Sequence, residues 1–210
     1  MRVLSVNIGS NTRLSFAGEH VRTGIFKSPV ESRVYLTRTG PRGDVQVDRK
    51  NHGGEDKAVC VYCADHYAFW EEETGMHFPV GTFGENLTVS RMLESDTRIG
   101  DIYAIGRTRL QVSQPRQPCH KLGKKIGDPT FSARVIELGL TGFYLRVLDE
   151  GDVGTDDPIQ ILSRDEATCT IEYANRVMYD RLEGEDGLQR LLSNTFLSDS
   201  WRQVLSSRSR

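Results

Sequence analysis

One thiol in this chain sits among residues that could put it to chemical use. Cys119 lies in the run Ser113-Gln114-Pro115-Arg116-Gln117-Pro118-Cys119-His120-Lys121, between a guanidinium, an imidazole and an ammonium. Nearby positive charge favours the thiolate, the form of cysteine that attacks electrophiles and binds metals. Pro115 and Pro118 fix φ and remove two backbone donors, so Ser113 to Lys121 is expected to be a stiff, non-helical loop. It follows a strand expected at Thr108 to Val112. A thiolate held this way suits a nucleophile, a zinc ligand or a redox centre.

The other cysteines disfavour zinc. Cys60 and Cys63 form a C-x-x-C, but no second pair follows at the spacing a structural zinc site needs. Cys60 also falls in the alternation Ala58-Val59-Cys60-Val61-Tyr62, where a free cysteine packs as a small hydrophobe, and Cys169 is expected to pack likewise. Cys119 and His120 are adjacent, and neighbours on an extended segment point to opposite sides, a poor geometry for a nucleophile and its base. Ser113 lacks the elbow motif of a hydrolase nucleophile. The chain also has no G-x-G-x-x-G, Walker loop or H-E-x-x-H.

Two glycine-rich turns carry polar candidates. In His52-Gly53-Gly54-Glu55-Asp56-Lys57, paired glycines allow a sharp turn whose N–H groups can face an anion. Lys57, expected to begin a strand running to Tyr62, adds a point charge suited to phosphate. By itself the segment reads more simply as a solvated turn. Gly81-Thr82-Phe83-Gly84-Glu85-Asn86-Leu87 sets a carboxylate and an amide at a strand entrance, where Asn86 could bond a ligand or its own turn.

The elements that must position these groups are short. Strands are expected at Leu4 to Ile8, Arg33 to Thr37, Lys57 to Tyr62, Asn86 to Val89, Ile102 to Ile105, Thr108 to Val112, Phe143 to Val147 and Ile159 to Leu162. Glycine-marked turns between them, Gly106 in a hairpin from Ile102 to Val112 among them, favour a barrel or sandwich over a doubly wound sheet. Helices are expected at Ala64 to Thr74 and from Asp128-Pro129 to Gly139. Past Ser163 the pattern turns helical. Ile171, Ala174, Val177 and Met178, then Leu188, Leu191 and Leu192, then Trp201, Val204 and Leu205 mark three short amphipathic helices between about Thr168 and Arg210. The expected division is therefore a β-rich domain over residues 1–163 and a helical subdomain over 164–210. At 210 residues the chain can hold one such unit with a small appendage, and its net charge of −2 implies no bulk attraction to nucleic acid or anionic membrane. With no run of about twenty apolar residues, no leader pattern and few cysteines, a reducing cytoplasm is the expected setting.

Taken together, these segments resemble the MOSC domain, the fold named for the C-terminal part of molybdenum cofactor sulfurase, and within it the stand-alone YiiM-like subgroup. The resemblance rests on Gly24-Ile25-Phe26-Lys27-Ser28-Pro29-Val30, His52 to Val59, Phe83 to Thr88, Ile99-Gly100-Asp101, Gln111 to Cys119 and Thr141-Gly142-Phe143-Tyr144, in that order. The C-terminal trio resembles the three-helix domain appended to this subgroup. The resemblance implies a mainly β, α+β fold with a MOSC-type β-barrel core. It also implies a molybdenum cofactor (molybdopterin) whose metal is ligated by Cys119, a soft ligand suited to a metal already bound by dithiolene sulfur. Lys57 and Arg116 are then the anchors of the pterin phosphate, with His52, Asn86 and the Gly53-Gly54 backbone as further lining. His120 stands where relatives commonly carry an aromatic residue. The implied activity is reduction of small N-hydroxylated compounds such as hydroxylaminopurines. Electrons would come from a separate reductase, since the chain carries no ferredoxin, flavin or nicotinamide motif. A carrier of the pterin or of its sulfur is the alternative implied. The apolar faces of the last helices would serve packing or a homodimer.

Overall fold

The computed structural model describes residues 1–48 and 52–208. The chain begins with β1 (Arg2–Gly9), a hairpin of β2 (Thr12–Phe16) and β3 (Glu19–Thr23), then β4 (Lys27–Pro29), β5 (Val34–Thr37) and β6 (Gly40–Pro41). A 3-10 turn at Glu55–Lys57 leads into β7 (Val59–Cys63), α1 (Asp65–Thr74) and β8 (Leu87–Ser90). Next come β9 (Ile102–Ile105), β10 (Thr108–Pro115), α2 (His120–Ile126), α3 (Phe131–Glu137), β11 (Phe143–Asp149), β12 (Gly151–Val153) and β13 (Ile159–Ser163). Three helices follow: α4 (Ile171–Asp180), α5 (Gly184–Ser193) and α6 (Asp199–Ser206).

The main sheet runs β13-β9-β10-β11-β7-β8-β1-β4 and is mixed, because β7 and β8 pair in parallel while its other pairs are antiparallel. The α1 crossover makes that parallel pair possible. The sheet curls into a half-barrel, which corrects the full barrel expected. The outer edge of β1 is divided: Asn7 to Gly9 pair with β4, so only its first residues meet the chain just before β13. Contact there is limited to the Arg2–Pro158 bridge and flanking bonds such as Val3 N–H to Asp157 O, 3.0 Å.

Two cores hold these layers together. The larger lies inside the curled sheet, with Val6, Val61, Leu87, Ile105, Val112 and Leu145, and it takes in Ile171, Met178, Leu191, Trp201 and Leu205 from the terminal helices. Those helices therefore complete the sheet's core. The second core is aromatic, built from Tyr62, Tyr67, Trp70, Phe78, Phe83 and Phe131 with Leu122 and Val135. Its rings meet mostly edge-on or tilted, with Tyr62 and Phe83 stacked at 4.0 Å. It lies behind β7, whose five residues are all buried, as expected of a strand covered on both faces.

Three local expectations need correcting. The strand expected from Lys57 starts at Val59, because Gly54 (φ 94°) opens a 3-10 turn in which Lys57 N–H bonds Gly54 O and Ala58 N–H bonds Glu55 O. The segment from Ser113 to Lys121 is not one loop. β10 continues through Pro115, and α2 begins at His120 with Cys119, extended at φ −105°, as its N-cap. Both prolines precede that helix and leave its ladder intact, and Leu122 anchors it in the aromatic core. The β2–β3 hairpin went unforeseen, since it is polar and turns on Ala17-Gly18 (φ 48° and 82°), a weaker signal than Asn-Gly.

Candidate functional site

A cleft opens where the ends of β7, β10 and β11 approach the segment from Asp44 to Asp48. Its lining includes five of the residues singled out from the sequence: Cys119, Lys57, Arg116, His52 and Asn86. Gly53 and Gly54 are not among its lining residues, and Gly54 is exposed, serving the 3-10 turn that carries Lys57. Thr23, Gly24, Lys27, Asp44, Lys121 and Tyr144 complete much of the wall.

Strand register explains how Cys119 arrives there. A β-bulge between Val112 and Gln114 shifts β10 against β11, and Ser113 Oγ bonds both Asp56 O (2.5 Å) and Tyr144 O (3.1 Å). Tyr144 faces Cys60 across the β11–β7 ladder, so both reach the same cleft. Arg116 N–H then bonds Gly142 O at 3.0 Å, and the chain turns into α2. Cys119 O is held by Leu122 N–H and by Ser132 Oγ at 2.8 Å, while its thiol makes no capping bond. The other three cysteines are buried; burial pushes the Cys60 and Cys63 thiols up to about 11. Cys119 is thus the accessible thiol among the four.

Arg116 carries the electrostatics of the cleft. Its side chain is buried, and Nη2 donates to Phe83 O at 2.6 Å. That carbonyl is fixed by a turn wrapped around Glu85, whose Oε1 accepts from Tyr67 OH, Gly81 N–H and Thr88 Oγ1. The other guanidinium nitrogen, Nη1, is buried with no partner among the described residues. A buried cationic donor without an acceptor costs stability unless a ligand supplies one. Burial, followed by the field of Arg116, lowers the His52 pKa to about 4, so its ring is neutral at pH 7. Burial also lowers the Lys57 pKa.

Asn86 plays a scaffolding part. Its Oδ1 accepts from Cys60 N–H at 3.1 Å, and its Nδ2 donates to Asn7 O and to Asp44 Oδ2. Both ends of the amide are engaged within the protein. Asp44 was invisible from the sequence, as was its partner Lys27, which meets both carboxylate oxygens at 2.6 Å. A pair formed between distant segments leaves no local signal. Lys125, also unforeseen, donates to the carbonyls of Ile25, Gly81 and Thr82, and burial lowers its pKa to about 8. Among the described residues no cluster of three His, Cys, Asp or Glu could hold a metal ion by itself, and no helix is long and apolar enough to cross a membrane.

The half-barrel carries at its open end a thiol and a buried guanidinium whose Nη1 has no partner among the described residues. Residues 48–160 match the MOSC domain, and residues 170–208 match the YiiM-like, 3-alpha helix domain. The chain belongs to the MOSC family, in its YiiM-like branch. It is 46% identical over 200 residues to YflK of Bacillus subtilis (strain 168), covering 95% of this chain and 90% of that one. A protein named reductase from Gibberella moniliformis is 33% identical over 183 residues, which are 85% of this chain and 32% of that longer one. The crystal structure of YiiM from Geobacillus stearothermophilus superposes with a TM-score of 0.84 at 34% identity, covering 100% of this chain and 99% of that one.

Proposed function

We propose that this protein is a molybdenum cofactor-dependent oxidoreductase that reduces small N-hydroxylated compounds, hydroxylaminopurines among them. The observation that carries the reading is Arg116 Nη1, a buried donor with no acceptor among the described residues, in a cleft that also presents the one accessible thiol. A group with a phosphate and a soft metal would answer both features. Arg116 and Lys57 would hold the anionic end and Cys119 the metal, with neutral His52 as a hydrogen-bonding neighbour. When bound, the cofactor supplies two-electron chemistry: with two protons, an N–OH group becomes N–H and water. The protein's own part would be to hold these side chains in the segments that flank β7 and β10 and to keep the Arg116 guanidinium out of water. Electrons would come from a separate reductase. The membership in the MOSC family and the reductase name of the Gibberella relative support the redox assignment.

Cys119→Ser should abolish molybdenum retention while leaving the thermal transition in place. Elemental analysis of protein made in a cofactor-competent host reads the result, and retained molybdenum would refute the assignment. Turnover of a hydroxylamino substrate with an artificial donor separates this reading from a carrier, which would retain the cofactor and show none.

A further inference from the structure

Four tyrosines are buried among the described residues, and a buried phenol ordinarily gives its hydroxyl a partner. Three do so. Tyr62 OH accepts from Trp70 Nε1 at 2.7 Å, Tyr67 OH donates to Glu85 Oε1, and Tyr103 OH donates to Asp101 Oδ2 at 2.9 Å. The fourth, Tyr144, is 7% exposed, and its hydroxyl bonds nothing among the described residues; only its carbonyl takes a side-chain bond, from Ser113 Oγ. That hydroxyl is not one of the fully enclosed atoms left without a partner, so the little surface Tyr144 keeps includes its polar end.

Strand alternation decides where it points. Phe143 and Leu145, on either side, are fully buried in the larger core, so Tyr144 stands on the opposite face of β11. It belongs to neither apolar core and lines the cleft with Cys119 and Arg116. Its register is set from both sides, by Cys60 on β7 and Gln114 on β10. Just before it, Gly142 holds φ 69°, where a Cβ would collide with Val61 O, and Gly142 O takes Arg116 N–H. One short turn thus places both Tyr144 and the start of the segment from Arg116 to Cys119. The Tyr144 hydroxyl and Arg116 Nη1 are two donors without acceptors among the described residues, in one cleft. They differ in kind: the guanidinium suits an anion, while a neutral phenol suits an oxygen that carries little charge. Burial, and next the field of Cys60, hold the Tyr144 pKa above the ordinary phenol value, so the group keeps its proton at neutral pH.

We infer that Tyr144 Oη is a substrate contact, donating to the hydroxyl oxygen of an N–OH group and steadying the charge that gathers there as the N–O bond breaks. The inference rests on the reductase reading for its substrate class. The N–OH group takes two electrons from the separate reductase and two protons from solvent, giving N–H and water; Tyr144 lends its hydrogen bond and keeps its own proton. The amino product has lost that oxygen and offers the phenol no acceptor in its place. Tyr144 therefore gives the cleft a means of preferring substrate to product, and that preference can be measured without turnover.

The test is Tyr144→Phe in the full chain loaded with cofactor. Isothermal titration calorimetry without reductant compares N-hydroxyadenine with adenine, which lacks only the hydroxyl oxygen. Wild type should bind N-hydroxyadenine more tightly. Tyr144→Phe should lose about three- to tenfold of that preference, as for one neutral hydrogen bond, with adenine affinity unchanged. The variant should unfold at the wild-type midpoint and retain molybdenum, because the hydroxyl holds nothing inside the protein. In turnover its kcat should fall about tenfold or more while KM changes less. Equal affinities of wild type for the two compounds overturn the inference, as does a variant that keeps the wild-type preference or weakens both compounds alike. If the preference goes with the hydroxyl, yet loaded wild type turns over no N-hydroxy compound, the contact stands and the reductase reading falls. If both forms turn the compound over equally, the reading stands and the contact falls.

Discussion

Removing Asp44 should unfold the rim of the cleft from beneath. Its carboxylate meets Lys27 Nζ at 2.6 Å on both oxygens, takes Gly9 N–H at 2.7 Å and receives Asn86 Nδ2 at 3.0 Å. The two charged side chains are 7% and 2% exposed, so truncating one leaves the other charge without its partner and largely out of water. Breaking a buried pair in this way costs about 3–5 kcal/mol. For a chain of this length that corresponds to a drop in Tm of roughly 6–20 °C. Asp44→Ala should therefore lower the midpoint of urea unfolding strongly, read by the fluorescence of Trp70 and Trp201, one in each core. Lys27→Met should also destabilise, and the double variant should lose clearly less than the sum, with about 1–3 kcal/mol of coupling. Asp44→Ala within about 1 kcal/mol of wild type, or strict additivity, would refute the view that this pair carries the cleft wall.

Other expectations concern single residues. His52, with its folded pKa near 4 against about 6.5 unfolded, contributes stability that is present above pH 6.5 and lost as pH falls toward 4. Between pH 7 and pH 5 wild type should lose about 2 kcal/mol relative to His52→Gln, and equal losses in chemical denaturation would exclude the assigned burial. Iodoacetamide at pH 8 should label native protein once, at Cys119, because the remaining thiols are buried; a second adduct by mass spectrometry would contradict this. Ser198→Ala removes the acceptor for Trp201 N–H at the start of α6 and a donor to Gln114, and should cost about 1–2 kcal/mol by thermal unfolding. No measurable change would show that α6 is not held through that residue.

Local patterns were read well where local chemistry decides the outcome. The hairpin arms beginning at Ile102 and Thr108 lie where alternation and Gly106 put them, and the terminal trio follows its apolar spacing at Ile171, Leu188 and Trp201. Cys119, Arg116, Lys57 and His52 were picked out by type, and the curl of the sheet gathers them. What escaped notice depends on partners far along the chain. Nothing near Asp44 announces Lys27, and Asn86 gave no sign that Cys60, Asn7 and Asp44 would occupy its amide. Helix α2 was masked by the prolines before it, though Leu122 buries itself in the aromatic core. The half-barrel in place of a barrel turns on how two later strands share the edge of β1, a competition that no single segment encodes.

The divided edge of β1 bears on how the protein is made. During synthesis Val3, Val6 and Ile8 emerge well before β8, with which β1 pairs, and before the residues that precede β13. Trp201, in the same core, emerges later still. The apolar residues of β1 must therefore wait, with only part of one edge covered by β4, until the segments from β8 to Trp201 are made, the condition in which strands aggregate and chaperones are recruited. Shortening the chain at its C-terminal end would prolong that wait indefinitely, so nascent-chain truncations before Trp201 should be recovered bound to chaperones or insoluble.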